Sequence, residues 1–263
     1  MTRISLLQAL TQWQLWPLPL KQAPSLIEKV PNGLTNENYL IKAQGKLYKL
    51  RINSPYSAML GIDRTREHAI CDLLAPHQVA PRLIYSSPNY TYSVFEWVEG
   101  RTWTKDDFEN PQQVKKLLEL VKKFQAINTQ GTITSLDYAK HLNCYYIELQ
   151  KQPNNSLISS QQLEQYRRFA AKLDSAQASP SWPPPLLTHH DITADNIIES
   201  VNGPVLIDWE YAAMGHPHFD ALCVNKLSHS KEKLSDLLAE MLYWVETFWY
   251  ALNDSPENKP ITE

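Results

Sequence analysis

The sequence predicts an α+β protein in two lobes, an antiparallel sheet over residues 1–98 and a mainly helical part over residues 99–263. Three observations predict it. Up to Val98 the chain alternates short β-branched and aromatic runs with turn residues. From Asp107 onward its apolar residues recur at helical spacing. With 263 residues, 43% of them hydrophobic, the chain can bury a core large enough for two lobes around a cleft, without staples.

Residues 4–16 read as an amphipathic helix, with Leu6, Leu7, Leu10 and Trp13 on one side and Pro17 and Pro19 ending it. Strands follow at 25–30, 39–43 and 47–52, the first two joined by the turn-rich loop 31–39, which contains Gly33, Asn36 and Asn38. Small side chains and free backbone N–H groups in such a loop suit contact with phosphate oxygens. Alternation along 47–52 puts Lys49 and Arg51 on one face and Tyr48, Leu50 and Ile52 on the other. Residues 62–74 have helical spacing and carry Arg64, Arg66 and Glu67. Arg64 and Glu67 are also placed to form a surface pair. Two more strands, 79–85 and 90–98, flank a turn at Ser87-Pro88-Asn89.

The helical part contains segments at 111–127, 138–149 and 161–173, then a proline-rich connector at 179–185. Residues 219–227 and 235–252 are further helices, and the tail after Asn253 reads as disordered. The net charge of −3, with basic residues scattered, argues against nucleic acid and anionic membrane as partners. Neither a secretory signal nor a spanning apolar run is evident, so a cytoplasmic location is expected. Three widely spaced cysteines suit reduced, buried thiols.

The chemistry concentrates in residues 186–211, LLTHHDITADNIIESVNGPVLIDWEY. A polar loop carrying His189, His190, Asp191 and Asn196 leads into a hairpin whose second strand ends at Asp208. Asp191 is then a carboxylate free to act as a base on an acceptor hydroxyl. Asn196 and Asp208 are the oxygen donors for a hard cation such as Mg²⁺, which keeps several waters and shares its site with substrate phosphates.

The spacing His189-x-Asp191-x4-Asn196, followed by Asp208, resembles the catalytic and metal loops of protein-kinase-like phosphotransferases. More narrowly, HHDITADN with LIDWEYA resembles the aminoglycoside phosphotransferase and choline kinase group, which includes choline, ethanolamine and thiamine kinases. The resemblance implies a bilobal protein-kinase-like fold and ATP with Mg²⁺ as cofactors. It implies that the GLTNENY loop, with Asn36 and Asn38, covers the nucleotide, and that Arg51, with Lys49 in reserve, contacts the phosphates while Glu67 holds it. It implies that backbone groups in the stretch Glu96 to Val98 read the adenine edge, and that Asp220 braces the catalytic loop. His189 is read as a brace too, and His190 is given no role because an extended backbone points it away.

The acceptor implied is a small alcohol, choline, ethanolamine or thiamine in type, with an aminoglycoside as the alternative. Glu210 and Tyr211, with Trp244 and Trp249 on the last helix, are the candidates to hold a cationic acceptor. Asp195 stands where relatives commonly carry glycine. A metal-dependent phosphohydrolase built on the histidines and a non-catalytic nucleotide-binding protein are the competing classes.

Overall fold

The computed structural model describes residues 3–31, 35–129, 131–151, 158–230 and 235–253. Asn32, Gly33 and Leu34 of the expected nucleotide-covering loop, and tail residues 254–263, lie outside the described residues.

Helix α1 (Leu6–Thr11) begins with a reciprocal cap: Gln8 donates its backbone N–H to the Ser5 hydroxyl, and the Gln8 side chain accepts the Ser5 N–H. It is shorter than residues 4–16. The chain tightens to a 3-10 turn over Trp13–Leu15, and Trp16, which precedes Pro17, is extended. Strands β1 (Ser25–Val30), β2 (Glu37–Ala43) and β3 (Lys46–Ile52) form an antiparallel meander. Gln44 and Gly45, both at positive φ, make the tight turn between β2 and β3. Helix α2 (Arg64–Leu74) is capped by Asp63, and β4 (Leu83–Ser86) and β5 (Tyr92–Glu96) complete a five-stranded sheet ordered β1-β2-β3-β5-β4. Strand β4 starts later than residue 79 because Pro81 has no N–H to donate and Gln78 is left-handed.

Helix α1 and Trp16 cover one face of this sheet, over Ile41, Tyr48, Leu50 and Val94. Lys49 and Arg51 project from the opposite face, toward α2. The apolar residues of α2 turn away from the sheet core: Ile70 and Leu74 join the larger cluster of the helical part.

That part contains β6 (Arg101–Thr102), α3 (Lys105–Glu109), α4 (Pro111–Gln125), α5 (Tyr138–Gln150) and α6 (Ser160–Gln177). Then come β7 (Leu186–Thr188), β8 (Ile197–Ser200), β9 (Gly203–Leu206), β10 (Ala213–Gly215), α7 (Phe219–Leu227) and α8 (Asp236–Asn253). The predicted hairpin is β8-β9, with β6 added at its edge, while β7 pairs with β10. The effect is to bring the loop after β7 beside the segment after β9. Among the described residues, no helix is long and apolar enough to cross a membrane.

Trp244 was expected to face an acceptor, and the structure places it elsewhere. Only 2% exposed, it packs in the core against Tyr166 and Phe248, with ring centroids 5.5 and 5.4 Å away. Helical spacing alone cannot separate a core tryptophan from a cleft tryptophan on an apolar helix. Trp244→Ala should lower stability by roughly 3–5 kcal/mol, the range for deleting a large buried aromatic. Denaturant unfolding checks this, and a loss under about 1 kcal/mol would contradict a core position.

Candidate active site

The loop after β7 is held by its own backbone. Asp220, at the start of α7, accepts the N–H of His189 at 2.8 Å through one carboxylate oxygen and that of His190 at 3.0 Å through the other. Burial pushes the Asp220 carboxyl up to about 7, against the pull of those two N–H groups. His189 is fully buried. Its Nδ1 accepts the Asp191 N–H at 3.2 Å, so the proton sits on Nε2, which donates to the Ile207 carbonyl at 3.1 Å. Burial lowers His189 to about 4, so the ring is neutral at neutral pH and ties the loop to the end of β9.

His190 departs from the sequence reading. Its φ of 67° is left-handed rather than extended, and the ring borders the cleft with Nε2 2.8 Å from the Tyr138 hydroxyl. Tyr138 accepts the His216 N–H, which leaves its one proton for His190. Gly215 makes room for this pair, because a Cβ there would lie 2.5 Å from both His190 Nε2 and the Tyr138 oxygen. A histidine beside Asp191 was visible in the sequence; its backbone conformation was not.

The Asn196 side-chain amide donates to the Asp191 carboxylate at 2.7 Å and to its carbonyl at 2.9 Å. With its nitrogen so engaged, Asn196 keeps its Oδ1 as an oxygen donor. The Asn196 carbonyl accepts the Ile207 N–H at 2.9 Å, bringing the loop beside Asp208, which is left-handed at φ 64°. Asp195 lies in the 3-10 turn Ala194–Asn196 without positive φ, so the missing glycine costs nothing here.

Opposite this loop is a buried ionic cluster. Arg51 is completely buried and all three of its nitrogens are engaged: Nε with Asn53 at 2.8 Å, one terminal nitrogen with Asp208 at 3.0 Å, the other with Glu67 at 2.7 Å. Arg64 bridges Glu67 at 2.7 Å and Glu210 at 2.8 Å. The Arg64–Glu67 pair, expected at the surface, is buried, and it coexists with the Arg51–Glu67 pair because both guanidiniums share one carboxylate. Burial raises the Glu67 carboxyl, but the two guanidiniums outweigh it and hold it down at about 2. Asn36 completes the cluster, donating to Glu210 at 2.7 Å and accepting from Arg64 and from the Ser54 N–H.

Between cluster and loop lies a cavity of about 830 Å³. Asn36, Asn38, Lys49, Glu96, Val98, Asp191, Asn196, Asp208, Glu210 and Tyr211 border it; Arg51, Glu67, His189 and Asp220 stand behind the wall. The Oδ1 of Asn38 is buried without a partner among the described residues. The wall includes the aromatic residues Tyr145, Tyr211, Trp249 and Tyr250. Trp249 Nε1 donates to the Tyr211 hydroxyl at 2.7 Å. Tyr138, Tyr145 and Arg66 were missed in the sequence, since helical periodicity marks them only as buried or exposed.

Burial, then the neighbouring Asp208 and Glu210 carboxylates, push Asp191 up to about 7. Excess negative charge and hard oxygen donors fit a divalent cation. Among the described residues no group of three His, Cys, Asp or Glu side chains is arranged to hold a metal, and Asn196 and Asp208 are oxygen-bearing side chains that border the cavity near Asp191.

Known proteins are similar along most of the chain. "Protein LicA homolog" of Mycoplasma capricolum is 22% identical over 225 residues, covering 86% of this chain and 83% of its own. The solved choline kinase LicA from Streptococcus pneumoniae has a TM-score of 0.68 at 19% identity, over 90% of this chain and 89% of that one. A structure of LicA in complex with AMP has a TM-score of 0.71 at 19% identity, over 95% and 90%. These similarities give the α+β kinase-like fold, and a match of residues 26–242 to the phosphotransferase enzyme family establishes that this chain belongs to that family.

Proposed function

We propose that this phosphotransferase is an ATP- and Mg²⁺-dependent kinase acting on the hydroxyl of a small cationic alcohol of the choline, ethanolamine or thiamine type. One observation carries the reading. Asp191, held by the Asn196 amide and raised to about 7, shares a single cavity with Asp208 and an aromatic wall. The choline kinase named among the similar structures supports the acceptor class, and the AMP complex supports the nucleotide.

In this reading Glu96 to Val98 form the connection between lobes, with the boundary after Val98, and their backbone faces the adenine. Asn36 and Asn38 lie under the nucleotide-covering loop. Asp191 orients the acceptor hydroxyl and takes its proton as the new O–P bond forms and the bond from the γ-phosphorus to the bridging oxygen breaks, releasing ADP. Mg²⁺, held by Asn196 and Asp208, would supply charge neutralisation to the phosphates. Glu67 fixes Arg51, which in turn aims Asp208; His189 and Asp220 hold the loop. Tyr211, Tyr145 and Trp249 offer ring faces to the acceptor's cationic group, each contact worth about 0.5–2 kcal/mol once desolvated, and Glu210 adds a nearby carboxylate.

Turnover measurements test it first. ADP release with ATP and Mg²⁺ against choline, ethanolamine, thiamine and an aminoglycoside should show turnover on one of the first three. Asp191→Asn should cut kcat by on the order of 10²–10⁴ while nucleotide affinity persists. Turnover confined to the aminoglycoside, or undiminished in the variant, would sink the proposal.

The pH profile has a definite sign. Asp191 must be ionised to accept a proton, so kcat/KM should rise with pH along an acid limb near about 7, well above a free aspartate. Glu210→Gln removes a like charge and should move that limb to lower pH; an unmoved limb would dissociate it from Asp191. Finally, Glu67→Ala strands two buried guanidiniums and should destabilise the fold by roughly 3–5 kcal/mol in denaturant unfolding. A loss within about 1 kcal/mol would mean the cluster does not brace the site.

A further inference from the structure

We propose that Arg66 and His141 form a carboxylate subsite in the cleft wall, so that the acceptor is a hydroxyl compound bearing a carboxylate beside its cationic group; this rests on the acceptor site proposed above. Both residues border the cavity, and neither has a part in the phosphoryl transfer outlined there. Arg66 leaves α2 toward the segment after β9. Its Nε donates to the Ala212 carbonyl at 2.9 Å, which fixes the guanidinium beside the residue that follows Tyr211. Its two terminal nitrogens have no hydrogen-bond or ion-pair partner among the described residues. The carboxylate that acts on it, Asp63, is occupied in capping α2, where it accepts the Thr65 and Arg66 N–H groups at 3.0 and 3.1 Å. The side chain is half-buried, so the terminal edge of the guanidinium is open to a ligand.

His141 stands on α5 one helical turn before Tyr145, and the two ring centroids are 4.6 Å apart. Consecutive residues seat this pair of rings. The Leu60 carbonyl accepts the Tyr145 hydroxyl at 2.9 Å, and Gly61 leaves the space that His141 fills, because a Cβ there would lie 2.6 Å from His141 Nδ1. Among the described residues neither ring nitrogen of His141 has a hydrogen-bond partner. Burial, then the Arg66 charge, lower His141 to about 4, so the ring is neutral at neutral pH and presents one N–H. After burial, His141 and Arg66 are also the next influences against a charge on His190, the residue before Asp191. The two groups are thus neighbours of each other and of the loop that carries Asp191.

Their surroundings select the ligand group. An arginine in the wall opposes a ligand that is only a cation, since like charges brought together in a desolvated pocket repel. The same arginine is favourable if the ligand also carries an anion. Tyr145, in ring contact with His141, and Tyr211, which precedes Ala212, are two of the ring faces proposed for the cationic group, so the basic pair adjoins them. A cation against the rings and an anion on Arg66 and His141 then belong to one small molecule. With Nε taken, the terminal nitrogens of Arg66 still present N–H groups that match the two oxygens of a carboxylate, and the His141 N–H adds a further donor.

The test is steady-state turnover of the full chain with ATP and Mg²⁺ on two matched pairs, ethanolamine against serine and choline against carnitine, in each of which the second compound adds a carboxylate to the first. In wild type the carboxylated member of at least one pair should lead in kcat/KM by about tenfold or more, the worth of one charge-assisted contact. Arg66→Gln should cut that lead by about tenfold, chiefly through the KM of the carboxylated member, and Arg66→Lys should restore part of it. His141→Phe, which keeps a ring against Tyr145, should narrow the lead as well. Because the ratio is taken within each variant, it does not depend on how much of the protein is folded. The inference is overturned if the plain member leads in both pairs, or if the variants lower both members alike and leave the ratio where it was; either result leaves the kinase reading standing, since turnover persists. Turnover of none of the four overturns it too, and if thiamine is inert as well, the acceptor reading beneath it falls.

Discussion

The structure depends on a buried cluster in which two guanidiniums, Arg51 and Arg64, face three carboxylates, Glu67, Asp208 and Glu210. Its members come from β3, from α2 and from the segment after β9, so one electrostatic unit joins the sheet to the part of the helical lobe that carries Asp208. Buried charges of this kind contribute little net stability, but removing any one leaves its partner stranded in low dielectric. The cluster therefore acts as a geometric constraint. It fixes where Asp208 lies relative to the loop carrying Asp191, whose proton affinity is raised by burial first and then by the Asp208 and Glu210 carboxylates.

A second constraint keeps the loop carrying Asp191 in shape. Loops have no ladder of their own, so their backbone donors must be met individually. Asp220 meets two of them and the His189 imidazole a third, while the other ring nitrogen reaches the end of β9. His190 and Asp208 both adopt left-handed backbone, a costly conformation for residues with a side chain and one that surrounding structure must over-determine. Here the surroundings do so through Tyr138 and Arg51 respectively.

Much of this was legible without coordinates. The period-2 runs located the sheet, the 3.6-residue period located α4 to α8, and Asn202-Gly203 marked the hairpin that brings Asp208 near Asn196. Residue chemistry and spacing together singled out Asp191, Asn196 and Asp208, which the fold brings to one cavity. The resemblance to kinase-like proteins paired Arg51 with Glu67. Their withdrawal behind the cavity wall was not legible, because alternation says which face a side chain leaves from and nothing about what else competes for it. The same limit applies to Trp244 and Trp249, five residues apart on α8: one is core and the other lines the cleft, although both satisfy an apolar helical pattern.

What the sequence determined by itself, then, is what depends on local geometry and residue chemistry: the α+β order of elements, the hairpin, and the polar set carried by one short stretch. Those are properties of neighbours in the chain, set by backbone sterics, turn residues and the period of apolar side chains. What only the tertiary structure decided is which long-range partners the charged groups choose. Arg64 reaches Glu210 because desolvation drives a buried charge to whichever partner packing has put within reach, and packing is a property of the whole chain.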